Sequence, residues 1–110
     1  MFGLFTQEKQ FKNIDAPEFA QLMKDKDTVI LDVRSPQELG EGSVPGHKMI
    51  SLFDPSFQAK IAKLDKTKTY LVYCRSGNRS KTACSVMANL GFQKLYNLKG
   101  GVHAWNSIAA

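Results

Sequence analysis

The sequence predicts an α/β fold in which about five mostly parallel strands form one sheet with helices on both faces. Short apolar runs of strand length alternate with stretches of helix length, which is the order that a parallel sheet requires. The runs at residues 28–33 and 69–73 are nearly continuous and rich in β-branched or aromatic residues, as in strands covered on both faces. With 110 residues, 43% of them hydrophobic, the chain can bury one complete core. We expect a single domain over residues 1–110, with a core at about 11–108 and an N-terminal extension at 1–10.

The first half of the chain is predicted to contain three strands and three helices. The strands cover residues 11–14, 28–33 and 47–52, the last of them at an edge of the sheet. Asp15 is a favourable N-cap, followed by Pro17, for a helix that ends at about residue 24. Ser35 and Glu38 form a capping box, so a second, short helix begins there and ends at the breaking residues 42–46. The third helix starts at Asp54, and its apolar positions 57, 61 and 64 share one face.

The second half is predicted to contain two strands and two helices. A turn at residues 66–68 leads into the strand at 69–73, and a final strand lies within 92–98. The helix between them stops at Gly91, because a residue without a Cβ readily takes the left-handed conformation that ends helices. Two glycines at 100 and 101 then separate the last strand from a terminal helix at 102–108, where Trp105 is expected to pack in the core.

Charge is unevenly distributed along the chain. Residues 66–110 contain seven Lys or Arg and no Asp or Glu, a net charge of +7, whereas residues 1–65 carry −2. Two of the three arginines, Arg75 and Arg79, fall within one short segment. The lysines are scattered and no aromatic residues alternate with them, so we expect a small anionic substrate and no nucleic acid partner. The second half should form an anion-attracting surface around a loop without carboxylates.

Several functional classes are disfavoured by composition. The two cysteines and the two histidines, His47 and His103, show no zinc-ligand spacing, and we expect neither a metal nor a cofactor. No apolar run approaches the roughly 20 residues of a membrane helix. The apolar stretch at residues 1–5 is too short for a signal peptide. The sequence therefore predicts a cytoplasmic protein with no membrane partner.

The segment from Cys74 to Ser80 joins a buried strand to a helix. In parallel sheets ligands bind beyond the carboxyl ends of the strands, and the backbone N–H groups of such a turn form an anion-binding nest at the helix N-terminus. The nest and the two nearby arginines favour a thiolate over a thiol, so we predict Cys74 as a nucleophile. The predicted substrate-binding residues are Arg75, Ser76, Gly77, Asn78, Arg79 and Ser80.

Other polar or reactive residues have simpler interpretations. Cys84 lies in the middle of a predicted helix and is expected to pack in the core rather than to act as a second thiol. Sequence places neither histidine near Cys74. Asp32 and Arg34 end another central strand, and we expect a supporting role for them as a structural pair that holds the neighbouring loop.

Four segments of the chain resemble, in order, the successive signatures of the rhodanese domain. They are VILDVRSPQE at 29–38, EGSVPG at 41–46, YCRSGNRS at 73–80 and LGFQKLYNLKGGVHAW at 90–105. The resemblance spans about residues 11–108 and implies a rhodanese-like fold and a thiosulfate sulfurtransferase activity, in which Cys74 carries a persulfide. It implies as partners a small anionic sulfur donor and a cyanide or thiol acceptor, including a thiol on a protein. The chain departs from the family pattern at Ser43, where the family often has His, and at His47, where it has a small residue.

The sequence is also compatible with other functions. One is a sulfur-relay domain whose donor and acceptor are both proteins, and another is a non-catalytic interaction module, which would be marked by loss of the loop cysteine. A Cys-based phosphatase or arsenate reductase is disfavoured, because the loop from Cys74 to Arg79 has six residues instead of the seven of a Cys-x5-Arg loop. The shorter ring suits one sulfur atom better than a phosphate, and residues 66–110 hold no acid for a leaving group.

Overall fold

The computed structural model describes residues 10–109 of the chain. The strands are β1 (Lys12–Ile14), β2 (Thr28–Asp32), β3 (Lys48–Met49), β4 (Thr69–Tyr73) and β5 (Leu95–Leu98). The helices are α1 (Ala16–Leu22), α2 (Phe57–Ala62), α3 (Asn78–Asn89) and α4 (Gly101–Ala109), with a 3-10 helix at Pro36–Glu41. The predicted N-terminal extension, apart from its last residue, lies outside the described residues.

The five strands form one sheet in the order β1-β5-β4-β2-β3, and every pair of neighbours is parallel. The predicted fold class is therefore confirmed. The strand expected at residues 47–52 does lie at an edge, but only Lys48 and Met49 are strand residues there. It is short because its partner β2 ends at Asp32. After Met49, the backbone N–H of Ile50 donates to the Asp32 oxygen and that of Leu52 to the Val33 oxygen.

Alternate residues of β4 face opposite layers of helices. Tyr70 and Val72 belong to the core formed with α2 and α3, whereas Leu71 and Tyr73 belong to the core formed with α1 and α4. Helices therefore cover both faces, as predicted. Cys74 continues the alternation of Tyr70 and Val72 and lies in the core on the α3 side. Trp105 is half-buried and packs edge-on against Phe19, with ring centroids 6.4 Å apart.

Two predicted helices differ from the expected form. The capping box of Ser35 and Glu38 is present, but it begins a 3-10 helix. The helix expected after Asp54 begins at Phe57, because the Asp54 carboxylate accepts a hydrogen bond from the N–H of Ser56 (2.8 Å) and holds a turn there.

The side chains of Asp32 and Arg34 form a fully buried ion pair at the carboxyl end of β2. Arg34 Nε lies 3.0 and 3.1 Å from the two carboxylate oxygens, and Nη2 lies 2.8 Å from one of them. The two remaining contacts reach backbone oxygens: Nη1 donates to Glu38 (3.1 Å) and Nη2 to Gly42 (2.9 Å). Burial by itself would lower the pKa of Arg34, but the hydrogen bonds and charge of Asp32 raise it. The pair therefore anchors the 3-10 helix to the end of the central strands.

Replacing Arg34 by Ala is expected to lower the free energy of unfolding by about 3–5 kcal/mol, because it leaves the Asp32 charge buried without a partner. Urea denaturation followed by circular dichroism measures this loss. The matched control is Asp32→Leu combined with Arg34→Met, which removes both charges and should cost much less. A single variant as stable as wild type would contradict the anchoring role.

Candidate active site

The loop after β4 bends sharply at Gly77. This residue has φ 104°, which favours glycine, and an added Cβ would lie 3.3 Å from the backbone of Leu98 and of Gly100. The bend turns the N–H of Gly77 back toward the Cys74 sulfur, and α3 begins at the next residue, Asn78. The predicted strand, loop and helix are therefore present, and the loop between strand and helix turns toward the Cys74 sulfur.

The Cys74 sulfur is buried and surrounded by hydrogen-bond donors. Its Sγ accepts hydrogen bonds from the N–H of Gly77 (3.1 Å) and of Ser80 (3.3 Å), and the Ser80 hydroxyl lies at 3.3 Å. Burial alone raises the pKa of Cys74, but the hydrogen bonds from Ser80, Gly77 and the N–H of Ser76 together outweigh it and lower the pKa below its ordinary value. The geometry therefore favours a thiolate.

The glycines at 100 and 101 do more than interrupt the chain. A Cβ on Gly101 would lie 2.3 Å from the backbone oxygen of Arg75 and 2.5 Å from that of Cys74. The N–H of Val102 also donates to the Cys74 oxygen (2.9 Å). Sequence reasoning treated this glycine pair only as a break, whereas it lets the start of α4 approach the back of the loop.

The loop contains no carboxylate of its own, as expected, but the fold brings two carboxylates to its arginines. Glu38 binds Arg79 through two hydrogen bonds, to Nη1 at 2.8 Å and to Nη2 at 2.6 Å, and Glu41 binds Arg75 Nε at 2.8 Å. The hydrogen bond from Arg79 is the main cause that lowers the pKa of Glu38 to about 2. Counting charges along the chain could not reveal these pairs, because both carboxylates come from the distant 3-10 helix. Glu38 had a sequence signal, but as a capping residue.

The remaining predicted substrate-binding residues lie at the rim. Ser76 and Asn78 are exposed, so Ser76 contributes its backbone N–H rather than its side chain to the sulfur. Phe53, which sequence reasoning missed, has 72% of its surface exposed, and Arg79 Cζ lies 6.0 Å from its ring centroid. The rim beside the buried sulfur thus combines polar groups with one exposed aromatic ring.

The histidines occupy other positions. His103 is exposed, with Nε2 3.9 Å from Glu41 Oε1, and His47 Nδ1 lies 2.9 Å from the backbone oxygen of Val44. The His47 ring also packs edge-on against Tyr73 of β4. The two departures from the family pattern, Ser43 and His47, therefore lie in a turn next to β4. Within residues 10–109, neither ring hydrogen-bonds the Cys74 sulfur.

The predicted core position of Cys84 agrees with the structure. Its side chain is fully buried within α3, and burial, with a smaller contribution from the charge of Cys74, raises its pKa to about 12. No three or more His, Cys, Asp or Glu residues in the described part of the chain are grouped as metal ligands. Among the helices of residues 10–109, none has the length and apolar character needed to cross a membrane.

A buried cysteine in a ring of N–H donors, between a central parallel strand and a helix, defines a class of α/β proteins with a cysteine-based loop. Within that class, the family model described as the rhodanese-like domain matches residues 15–108. The chain belongs to the rhodanese-like domain family, and the predicted resemblance is confirmed.

Several relatives of the chain are named as sulfurtransferases and are of similar length. A sulfurtransferase of Allochromatium vinosum is 30% identical over 93 residues, covering 84% of this chain and 85% of the relative. The thiosulfate sulfurtransferase GlpE of Pseudomonas savastanoi is 33% identical over 98 residues, covering 89% and 90%. The crystal structure of a rhodanese-related protein from Thermoplasma volcanium has a TM-score of 0.76 and 30% identity, covering 88% and 92%. These similarities support sulfur transfer in general.

We expect the pKa of Cys74 to lie below the free-thiol value of about 8.5. The ultraviolet absorbance of the thiolate, followed against pH in the Cys84→Ser variant, measures the transition directly and needs no reagent to reach the buried sulfur. In the matched Cys74→Ser variant, burial should hold the remaining thiol protonated well above neutral pH. A transition of Cys74 at or above about 8.5 would contradict the role of the N–H ring.

Proposed function

We propose that this chain is a sulfurtransferase in which Cys74 takes a sulfane sulfur from thiosulfate or a related small anion and passes it to a thiol or to cyanide. The observation that carries the proposal is the buried sulfur within 3.1–3.3 Å of donors from Gly77 and Ser80. Such donors stabilise negative charge at the position where a thiolate or a persulfide anion would lie.

The reaction divides into two displacements on sulfur. In the first, the Cys74 thiolate attacks the outer sulfur of thiosulfate; a new S–S bond forms, the S–S bond of thiosulfate breaks, and its electron pair leaves with sulfite. Sulfite is a stable anion, so this step needs no general acid. In the second, a thiolate or cyanide attacks the outer sulfur of the persulfide and releases the Cys74 thiolate. The acceptor becomes a persulfide or thiocyanate, and no cofactor is consumed.

The two loop arginines are suited to different roles. Arg79 has both terminal nitrogens bound to Glu38, so its guanidinium chiefly orients the loop. Arg75 is half-exposed, with its side chain 53% accessible, and binds Glu41 through Nε. Its terminal nitrogens form no hydrogen bond with the described residues, which leaves forked donors for a dianion such as thiosulfate. We therefore assign donor binding mainly to Arg75.

A phosphatase or arsenate reductase has less support. The six-residue loop is one residue shorter than those enzymes use. Glu38, which the fold brings to the loop, does not supply the missing acid, because its bond to Arg79 lowers its pKa to about 2. A carboxylate that stays ionised at neutral pH cannot protonate a leaving group.

A sulfur-relay domain with a protein acceptor is the second candidate. It is favoured by Phe53, which exposes 72% of its surface beside Arg79. An exposed aromatic ring at the rim adds nothing to the binding of cyanide, whereas it offers apolar contact to a protein that carries the acceptor thiol.

We expect Cys74→Ser to abolish sulfur loading, because a hydroxyl at this position is not ionised at neutral pH. Intact-mass measurement after mixing with thiosulfate should show one added sulfur on wild type, lost again after cyanide. Cys84→Ser is the matched control and should load normally, with an effect mainly on stability. Loading of Cys74→Ser to the wild-type level would disprove the assignment.

Arg75→Ala is expected to lower kcat/KM for thiosulfate about tenfold, since one charge-assisted hydrogen bond at a half-exposed position contributes about 1.5 kcal/mol. Part of the loss should disappear at high salt. The opposing variant, Glu41→Gln, keeps the shape but frees the charge of Arg75, and should raise kcat/KM or leave it unchanged. Equal losses of kcat/KM in the two variants would contradict donor binding by Arg75 and indicate that its ion pair with Glu41 supports the activity.

A further inference from the structure

Asn97 on β5 is a fully buried polar residue that connects the loop to the sheet. The Ser80 hydroxyl forms a hydrogen bond with Asn97 Oδ1. On its other side, Asn97 Nδ2 donates to Asn13 Oδ1 on β1 (2.9 Å) and, at 3.4 Å, to the backbone oxygen of Gly77. Asn97 therefore contacts Gly77 and Ser80, which both donate to the Cys74 sulfur, although it lies outside the loop and does not contact the sulfur itself.

The Ser80 hydroxyl has one hydrogen and two acceptors. It lies 3.3 Å from the Cys74 sulfur and within hydrogen-bond distance of Asn97 Oδ1, and it can donate to only one of them. A neutral thiol can donate its own hydrogen to the Ser80 oxygen, which leaves the hydroxyl free to donate to Asn97. A thiolate has no hydrogen, so it needs the Ser80 hydroxyl, and Asn97 Oδ1 then loses its donor.

A half-turn of the Asn97 amide removes this conflict. Nδ2 would then donate to the Ser80 oxygen and direct the hydroxyl hydrogen toward the sulfur. Oδ1 would face Asn13, whose exposed side chain can turn in the same way and present its own Nδ2. The Gly77 oxygen would lose only its long bond, and it also accepts from the N–H of Lys81. The two orientations thus match the two charge states of the sulfur.

We propose that Asn97 is a positioning residue whose amide orientation directs the Ser80 hydroxyl either away from the Cys74 sulfur or toward it. In the first orientation the ring accommodates a thiol, and in the second it accommodates a thiolate or persulfide anion. The inference rests on the proposed function, because it assigns Asn97 a part in the chemistry of that sulfur.

Charged and titratable groups on three other elements interact with the sulfur or with a group that does. Arg79 on α3 interacts with the charge of Cys74 and is itself bound to Glu38 of the 3-10 helix. Asp32 on β2 acts on Arg79 and is paired with Arg34, and Cys84 on α3 feels the charge of Cys74. All of these except Cys84 are the same in every variant below. Differences among variants at Asn97 therefore report the amide and, in Asn97→Asp, the added charge.

The test compares Asn97→Asp with Asn97→Ala, both in the Cys84→Ser background. An aspartate has the same shape but only accepts, so it should hold the Ser80 hydroxyl away from the sulfur and raise the pKa of Cys74 by about one unit or more. Alanine leaves the hydroxyl free to donate to the thiolate, so the pKa should not rise. If Asn97 had only a structural role, alanine would disturb the loop, and raise the pKa of Cys74, at least as much as aspartate. A rise with alanine equal to that with aspartate would overturn the proposal.

A second comparison tests whether Asn97 acts through Ser80. In a Ser80→Ala background, the rise caused by Asn97→Asp should fall to less than half, because only the through-space effect of the new charge remains. An undiminished rise would overturn the proposal. The acid limb of the pH profile of kcat/KM for thiosulfate should move with the pKa in each variant.

A measurement on protein with the native Asn97 keeps the test valid if Asn97→Asp does not fold. In nitrogen-labelled protein, the side-chain amide resonances of Asn97 should titrate together with Cys74, and this response should vanish in Ser80→Ala. Resonances that do not respond would overturn the proposal.

Sulfur loading measured by intact mass separates the two hypotheses. Failure of wild type to load, with the expected pKa pattern intact, refutes the proposed function alone. Normal loading without that pattern refutes the role of Asn97 alone.

Discussion

The buried ion pair between Asp32 and Arg34 is the constraint on which the rest of the site depends. A fully buried guanidinium is tolerated only when its donors are satisfied, and here they reach the Asp32 carboxylate and the backbone oxygens of Glu38 and Gly42. Those two backbone contacts hold the 3-10 helix in place. The helix in turn presents the Glu38 and Glu41 carboxylates to the loop arginines. The geometry of the loop rim therefore depends on this buried ion pair.

The two cysteines show that burial alone does not decide the pKa of a thiol. Cys74 and Cys84 are 1% and 0% exposed, yet the pKa of Cys74 is lowered and that of Cys84 is raised to about 12. Burial disfavours both thiolates. The difference comes from the donors of Gly77 and Ser80, which surround one sulfur, whereas Cys84 lies mid-helix among core side chains. A turn with φ 104° at Gly77 therefore separates a position that favours a thiolate from one that favours a thiol.

Much of the architecture could be predicted because it follows from local pattern. The apolar run of β4 and the helix-start signal at Ser35 depend on neighbours within a few residues. Element ends were less predictable, since they depend on partners. The edge strand β3 shortened where β2 ended, and α2 began later than expected because the Asp54 side chain capped a turn instead. Hydropathy along the chain contains neither of these contacts.

The sequence by itself determined the strand, loop and helix around Cys74, because each follows from local pattern, and the ring of N–H groups arises within the seven residues from Cys74 to Ser80. Only the tertiary structure decided the partners of that loop. Glu38 and Arg79 are 41 residues apart, and Ser80 and Asn97 are 17 apart. Asn97 reaches the loop because β5 pairs with β4 in a register that sets Val72 opposite Asn97. Such contacts depend on how strands pair and helices pack across the whole domain, which spacing along the chain does not encode.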